Sequence, residues 1–255
     1  MNSIAGLLDG YAPVFLPDLD GALLMDRNDI KFSFPVSSLP GIIDALKDKY
    51  YMLEINGIRA QRYESLYFDT PEFRFYTEHH NRKGNRYKVR FRRYTDSDIY
   101  FLEVKYKDNR DRTHKVRSML NAHDYGAEKI HEEGMKFVRD NTACDPGRLD
   151  PVVYVFYKRV SLVHKHIDER VTLDWDISFR KGDTLQPLPG LSIGELKQDR
   201  ISFSSDFIRV MRSLHIVDDN FSKYTIAAAM LCPGIKRNAF KPCFLTLNKI
   251  THGYA

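Results

Sequence analysis

The sequence predicts an α+β fold in which an antiparallel β-sheet carries helices on its outer side. Segments of strand length alternate apolar and charged residues, and most of them have one apolar and one charged face. Two-faced strands are typical of antiparallel sheets, since the strands of parallel sheets are buried on both faces. Between these segments, apolar residues recur at helical spacing, as in Ile42, Ile43 and Leu46.

The predicted elements follow one another without an internal repeat. In the helix that follows residue 69, Thr70 is the predicted N-cap and Pro71 the first helical residue. The predicted strands are residues 28–36, 62–70, 86–94, 99–107, 113–117, 152–160, 170–177 and 191–198. The predicted helices lie within residues 39–50, 70–83, 122–141, 206–214 and 221–231.

Length and composition predict one soluble, intracellular domain. The chain has 255 residues, of which 43% are hydrophobic and 13% aromatic, which suffices for a buried core. No apolar run approaches the roughly 18 to 20 residues of a membrane-spanning helix, and the N-terminus lacks the basic region of a signal peptide. The three cysteines, Cys144, Cys232 and Cys243, have neither disulfide-framework nor zinc-site spacing, so we expect no role for them in the chemistry.

Basic residues are concentrated on one face of neighbouring strands. In RYKVRFRRY, residues 86–94, every second residue from Arg86 to Arg92 is basic, and aromatic or apolar residues stand between them. A solvent-exposed sheet face would also be polar, but like charges opposite each other across strands destabilise a sheet. The clustering, together with a net charge of +5, therefore favours an anionic partner.

Closure of the sheet into a barrel would turn these charged faces toward a lumen. Three single carboxylates, Glu103, Asp174 and Glu195, share the same faces. A basic lumen with a few carboxylates is a site for phosphates and a divalent metal ion. Nucleic acid is a weaker alternative, because no nucleic-acid motif is present and the aromatic residues of 86–94 lie opposite the basic ones.

Several ordered motifs carry a resemblance to a known family. In chain order they are YFDTPEFRFYTEHHNRKGNRYKVRFRRY, FLEVKYK, THKVR, FYKRV, RVTLD, GELK and FSKY. They resemble the catalytic domain of the vacuolar transporter chaperone family, the polyphosphate polymerases, within the triphosphate tunnel metalloenzymes. The resemblance implies an antiparallel eight-stranded β-barrel tunnel with helices outside, which threads ATP or polyphosphate and holds Mn²⁺ or Mg²⁺. It also implies an N-terminal extension at residues 1–25, the tunnel domain at 26–232 and a C-terminal tail at 233–255.

The resemblance implies roles for individual residues. The basic residues implied to grip phosphate during catalysis are Lys31, Arg90, Arg92, Lys105, Lys115, Arg159 and Lys223. Glu195 is the implied metal ligand, and Glu103 and Asp174 are secondary metal candidates because they face the same way. Further substrate contacts are expected from Lys107, Arg117, Tyr157 and Lys197. His79 and His80 are predicted to be surface residues, since adjacent helical residues do not share a face.

The first strand departs from the wider superfamily. Other branches begin with an E-x-E-x-K strand, whereas this chain keeps only Asp29 and Lys31 of that pattern. The loss of metal carboxylates typical of the hydrolytic branches favours the polymerase branch. The sequence also shows neither an inositol-phosphate-sensing domain nor a membrane segment, so export of a product by this chain alone is not expected.

The predicted function is a cytoplasmic, metal-dependent polyphosphate polymerase that transfers the γ-phosphate of ATP to a growing chain. The nucleophile in that reaction is an ionised terminal phosphate, so no general base is required. Two alternatives remain open: a triphosphate hydrolase with the same tunnel, and a polyphosphate-binding protein without turnover. A membrane-protein partner is compatible with a polymerase that has no membrane segment of its own.

Overall fold

The computed structural model describes residues 4–19, 28–109, 112–199, 202 and 204–252. Its strands are β1 (Pro13–Val14), β2 (Asn28–Pro35), β3 (Tyr50–Leu53), β4 (Gln61–Asp69), β5 (Arg86–Tyr94), β6 (Ile99–Lys107), β7 (Thr113–Leu120), β8 (Asp150–His164), β9 (Glu169–Lys181), β10 (Thr184–Pro187), β11 (Leu191–Gln198) and β12 (Asp218–Asp219). Its helices are α1 (Ile4–Leu8), α2 (Leu39–Leu46), α3 (Arg74–His80), α4 (Ala122–Gly126), α5 (Glu132–Asn141), α6 (Asp206–Ser213), α7 (Lys223–Leu231) and α8 (Lys241–His252). The boundary predicted between residues 25 and 26 lies outside the described residues.

The strands form one large sheet, and the predicted α+β class with an antiparallel sheet is confirmed. The order of strands across the sheet is β12-β2-β11-β9-β8-β4-β5-β6-β7, and every neighbouring pair on this path is antiparallel. At its margins β10 pairs with β9, β3 pairs with β8, and β1 runs parallel to β3. All eight strands predicted from alternation are present, with ends that differ by a few residues.

The closed eight-stranded barrel is not confirmed. The path contains nine strands, and no backbone pairing joins its ends, β7 and β12, in the part of the chain that is described. The sheet nevertheless curves strongly. Side-chain contacts between segments that are distant in the strand order show this curvature. Lys105 of β6 lies 2.9 Å from Asp29 of β2, and Lys88 of β5 donates to Ser222, just before α7, at 2.8 Å.

The convex face of the sheet is apolar and packs under helices, as the alternation predicts. On β5 and β6 the residues between the charged positions, Val89, Phe91, Leu102 and Val104, are almost completely buried, in a cluster with Val138 of α5. A second cluster joins β2, β8, β9 and β11 to α2 and α6. Burial of this face drives the opposite, charged face of each strand inward, onto the concave side.

Helix α7 lies on the concave side and closes part of it. Six consecutive residues from Tyr224 to Ala229 are buried, so this helix is enclosed on all sides rather than on one stripe. Its apolar residues pack with Val155 and Tyr157 of β8 and with Phe179 of β9. The interior of the curved sheet is therefore apolar around α7, and the charged part of the interior begins at the first residue of the helix.

Helix α3 begins three residues later than predicted and has a different cap. Phe73 has a left-handed backbone (φ 56°), and the helix starts at Arg74. The carboxylate of Asp69 accepts hydrogen bonds from the backbone N–H groups of Phe75 and Tyr76, both at 2.8 Å. The hydroxyl of Thr70, the predicted N-cap, accepts a single longer bond of 3.2 Å from the N–H of Arg74.

Two other regions differ from the prediction. The single helix predicted at 122–141 is interrupted, because Glu128 has a positive φ of 52° and residues 127–131 connect two separate helices, α4 and α5. The predicted C-terminal tail contains α8, which buries Cys243 and Leu247 against the apolar cluster around α7. None of the described helices has the length and apolarity needed to cross a membrane.

Strand β9 changes its inward face halfway along. The sequence predicts that Asp174 and Asp176 point to the same side, but Asp176 has a positive φ of 51°, at a register shift between β8 and β9. Asp174 is buried on the concave side, whereas Asp176 is exposed and pairs with Lys158 on the outside. Beyond the shift, Ile177 and Phe179 point inward and pack around α7.

Candidate functional site

The concave face of the sheet encloses a basic cavity of two connected lobes. The first lobe has a volume of about 240 Å³ and the second about 290 Å³, and Lys31, Lys88 and Lys105 line both. Of the residues predicted from the sequence, the first lobe is lined by Lys31, Arg90, Arg92, Lys105, Lys115, Tyr157, Arg159, Glu195, Lys197 and Lys223. Lys107 lines the second lobe. The fold therefore gathers most of the predicted site into one place.

Arg117 is the predicted contact that the fold leaves out. It lies two residues beyond Lys115 on β7, lines neither lobe and is exposed. Its guanidinium lies 4.6 Å from the centre of the Phe101 ring, a cation–π geometry. Strand alternation gives the correct face for Arg117 but not its distance from the cavity.

Glu103 is the centre of one cluster of ion pairs behind the cavity wall. Its carboxylate, 1% exposed, lies 2.6 Å from Arg90, 3.8 Å from Arg92 and 2.5 Å from Lys115. Burial opposes ionisation of Glu103, but the charges of Arg90 and Arg92 outweigh it and hold the pKa of this carboxyl well below its usual range. Glu103 thus remains charged and orients the three cations.

Arg90 and Arg92 are also held by tyrosine hydroxyls. Tyr67 accepts a hydrogen bond from Arg90 at 2.8 Å, and Tyr157 accepts one from Arg92 at 2.8 Å. Each guanidinium has five N–H donors in a planar fork, so donors remain for a phosphate oxygen after these contacts are made. The clusters therefore fix the direction of each arginine without exhausting its hydrogen-bonding capacity.

Asp174 organises a second cluster in the same way. Arg159 binds it in a bidentate manner, at 2.5 and 2.8 Å, and Lys223 of α7 donates to the same carboxylate. Burial would raise the pKa of Asp174, but the charges of Arg159 and Lys223 lower it to about 2. The Arg159 guanidinium also lies over the ring of Tyr157, 5.2 Å from its centre.

Glu195 and Lys31 face each other on adjacent strands, in direct register between β11 and β2. Glu195 pairs with Lys197 at 3.0 Å, and Lys197 also donates to Thr172 at 3.0 Å. Burial works against the charge of Glu195, yet Lys197 and Lys31 hold its pKa well below the usual range. Lys31 donates to the backbone carbonyl of Phe221 at 3.1 Å, which directs its ammonium group across the cavity.

Three lysines of the cavity, Lys31, Lys88 and Lys115, are difficult to keep charged without an anion. Burial lowers the pKa of Lys31, and it lowers that of Lys88 strongly, where the charge of Lys31 adds to the effect. Burial, partly offset by Glu103 but reinforced by Arg92, lowers the pKa of Lys115 to about 7. A bound polyanion would reverse each of these effects, because it supplies opposite charge at short range.

Comparison with known proteins identifies the family. The VTC domain matches residues 26–232, which is more than half of the chain. The chain belongs to the VTC domain family. The family resemblance read from the motifs is thereby confirmed.

Solved structures similar to this VTC domain have low sequence identity. A protein from Hippeastrum, named as a candidate adenylyl cyclase with a dominant triphosphatase activity, aligns with a TM-score of 0.51 at 15% identity, over 82% of this chain and 98% of its own. A candidate adenylate cyclase from Bacillus halodurans aligns with a TM-score of 0.49 at 13% identity, over 78% of this chain and 96% of its own. The structural similarity to the Hippeastrum protein supports the fold alone. No curated protein matches the sequence.

The carboxylates that the sequence predicts as metal ligands can hold a divalent ion only together with substrate phosphates. Glu103, Asp174 and Glu195 do not converge on a common point: they form no group of three donors within 4.8 Å, and each already pairs with protein cations. They cannot form an all-protein cage. Mg²⁺ and Mn²⁺ are, however, commonly bound by one or two carboxylates together with substrate phosphates, and Glu195 on the cavity wall suits that arrangement.

Sequence reasoning missed several residues that line or support the cavity. Lys88 lines both lobes: alternation places it on the charged face of β5 with Arg90 and Arg92, but the family motifs assign it no role. The prediction that His79 and His80 are surface residues is wrong: His79 lines the second lobe, and His80 is buried and hydrogen-bonded to Asn81 and Asn238. Asn238 and Phe240, which contact these histidines, lie between α7 and α8, and the local helical pattern does not reveal such distant contacts.

Proposed function

We propose that this VTC domain is a metal-dependent polyphosphate polymerase that transfers the γ-phosphate of ATP to a growing polyphosphate chain. One observation carries the proposal: seven basic side chains from five strands and one helix converge on one cavity. They are Lys31, Arg90, Arg92, Lys105, Lys115, Arg159 and Lys223. Glu103, Asp174 and Asp29 compensate these seven cations only in part, and a chain of phosphates would supply the remaining negative charge along the cavity.

The arrangement suits phosphoryl transfer, in which catalysis is mostly positioning and charge stabilisation. The guanidinium forks of Arg90 and Arg159 can grip phosphate oxygens in a bidentate manner, and each is held by a buried carboxylate. A positioned cation reorganises little when charge develops on the transferring phosphoryl group. The lysines add compact charge along the path of the chain.

The pairing of the carboxylates favours the polymerase over the hydrolase. Hydrolysis requires a positioned water, and Glu103, Asp174 and Glu195 are all engaged by cations and poorly placed to activate one. The terminal phosphate of a polyphosphate chain is already ionised and needs no base. The hydrolase remains the second candidate, because the similar Hippeastrum protein is described as having triphosphatase activity.

The ion required by this proposal is Mn²⁺ or Mg²⁺; Glu195 would help to hold it, and it would neutralise negative charge on the phosphates. The curved sheet then acts as a tunnel of the family's kind, with residues 26–232 as the functional unit. We place the activity in the cytoplasm, where ATP is available, and a membrane protein is the partner that would be needed if the product crosses a bilayer.

The test is to incubate the purified protein with ATP and Mn²⁺ and to resolve long polyphosphate from free phosphate. Lys105→Ala and Arg90→Ala remove cations that line the cavity, and both are expected to abolish synthesis. Lys158→Ala is the matched control, since Lys158 lies on β8 but is 45% exposed and pairs with Asp176 outside. Free phosphate without polymer would assign a triphosphatase, and no product at all would leave a binding protein.

A further inference from the structure

Three metal-binding side chains meet outside the cavity, where α4 and α5 begin. The Nδ1 atom of His123 lies 3.5 Å from an oxygen of Asp124, and the Nε2 atom of His131 lies 3.7 Å from the same oxygen. The donor atoms of all three residues lie within 4.8 Å of one another. In the described ranges of the chain this is the only group of three or more such residues with that geometry.

The distances suit a metal ion better than hydrogen bonds. A hydrogen bond from an imidazole to a carboxylate oxygen is usually about 2.7 to 2.9 Å long, clearly shorter than either distance here. Zinc binds imidazole nitrogen and carboxylate oxygen at about 2.0 to 2.2 Å, so two ligands on a tetrahedral ion lie about 3.4 Å apart. Both distances from the imidazole nitrogens to Asp124 are close to this spacing, and the two nitrogens lie within 4.8 Å of each other.

The charge of Asp124 is not balanced by a lysine or arginine in the part of the chain that the structure covers. Its ion-pair contacts there are with His123 and His131 alone. The contrast with the cavity is direct, because Glu103 pairs with Arg90 and Arg92, and Asp174 pairs with Arg159 and Lys223. A divalent ion would supply the missing positive charge.

The fold presents the three ligands from anchored positions. The Asn121 side chain caps α4 by accepting a hydrogen bond from the backbone N–H of Asp124 at 2.7 Å. Tyr125 and Ile130, which follow and precede the ligands, are buried in the cluster on the convex face. An adjoining cavity of about 310 Å³, lined in part by Asp124, His131 and Glu132, leaves room for a water or a further carboxylate as a fourth ligand.

We propose that His123, Asp124 and His131 bind a divalent transition-metal ion, with zinc as the best fit, at a structural site separate from the substrate cavity. Imidazole and carboxylate ligands suit zinc, whereas Mg²⁺ prefers a shell of oxygens. The ion ties the start of α4 to the start of α5 and closes the connection at residues 127–131. This connection covers the convex side of β5 and β6, whose concave sides carry Arg90 and Glu103.

The test is a titration of Zn²⁺ into the untagged full chain after treatment with a chelator, followed by calorimetry. We expect one ion per chain with micromolar affinity and a melting temperature that rises with the zinc concentration. His123→Ala and His131→Ala should each weaken binding by at least about tenfold. His114→Ala is the matched control, since His114 forms an exposed pair with a single carboxylate, Asp108, and its loss should leave the affinity unchanged.

Two results would overturn the proposal: no stoichiometric zinc binding, or equal affinity in His131→Ala and His114→Ala. Competition by a similar concentration of Mg²⁺ would also contradict it, because it would show an oxygen-lined site. The result of the zinc titration does not depend on whether the protein is a polyphosphate polymerase. His131→Ala should retain Mn²⁺-dependent synthesis, and the zinc titration remains decisive even if the wild-type chain makes no polymer.

Discussion

Lys105 of β6 and Asp29 of β2 form an ion pair of 2.9 Å between two strands that share no backbone hydrogen bonds. The pair joins opposite arms of the curved sheet across the cavity. It also occupies a lysine that the proposed function assigns to phosphate. Asp29 and a phosphate therefore compete for the same ammonium group.

Asp29→Asn should bind inorganic tripolyphosphate several-fold more tightly than the wild-type chain, because Lys105 is released and one repelling charge is removed. The free energy of unfolding should change by less than about 1 kcal/mol, since the Lys105 side chain is 32% exposed and pairs of this kind contribute little. Calorimetry and denaturant unfolding measure the two quantities. Asp176→Asn makes the same change of charge on the outside. An equal gain in tripolyphosphate affinity in that variant would show that the gain comes from net charge alone and not from the release of Lys105.

Lys115 should make substrate capture depend on pH. Its pKa is lowered to about 7, so it is charged below that pH and loses its charge, and its attraction for phosphate, as the pH rises through 7. We expect kcat/KM for ATP to fall above pH 7, by up to about tenfold per pH unit if the charge is essential. Because ATP also titrates near this range, the informative quantity is the ratio to Lys115→Arg.

The guanidinium of Lys115→Arg stays charged throughout. The ratio of wild-type to variant kcat/KM should decline between pH 7 and 9. A ratio that is constant over this range would mean that Lys115 does not titrate there in the free protein. At saturating ATP the dependence should weaken, because bound phosphate raises the pKa of the lysine.

Asp174→Asn should destabilise the fold strongly. The carboxylate is 1% exposed and compensates Arg159 and Lys223, so its removal leaves two cations without their partner. The expected loss in free energy of unfolding is about 3 to 5 kcal/mol. Tripolyphosphate should raise the melting temperature of Asp174→Asn more than that of the wild-type chain, since an anion in the cavity replaces the missing charge. Equal shifts in both proteins would contradict this account.

Asp69→Ala should cost more stability than Thr70→Ala. Asp69 accepts hydrogen bonds from three backbone N–H groups and from the hydroxyl of Tyr224, whereas Thr70 accepts one bond of 3.2 Å. We expect a loss of about 3 kcal/mol for Asp69→Ala and about 1 kcal/mol or less for Thr70→Ala. Denaturant unfolding of the two variants gives the difference directly, and equal losses would show that the cap predicted from the sequence is the effective one.

Alternation predicted the strands and the inward residues because both depend on local geometry. Arg90 and Arg92 point to the cavity since the residues between them, Val89 and Phe91, are buried under helices. Lys223 is different: its place at the start of α7 was recognised from a family motif, and no periodic pattern places that helix inside the curved sheet.

What could not be predicted depends on contacts between distant segments. Asp124 is near His131 only because Glu128 turns the chain between two helices, and a single helix at 122–141 would have placed the two residues about two turns apart. The pairing of Lys105 with Asp29 likewise depends on how far the sheet curves. Residue patterns specify the faces of a strand, but the curvature follows from the packing of the whole sheet.

The register shift at Asp176 divides β9 into two parts, and the alternation of inward-facing and outward-facing residues has a different phase in each part. Up to Asp174 the even-numbered residues serve the charged interior, and from Ile177 onward the odd-numbered residues serve the apolar one. A one-residue deletion elsewhere in β9 would therefore exchange inside for outside over the rest of the strand, whereas deletion of Asp176 would restore simple alternation and keep Ile177 and Phe179 inside. The length of this strand, more than the identity of its residues, would limit which segments from related proteins can be spliced into it.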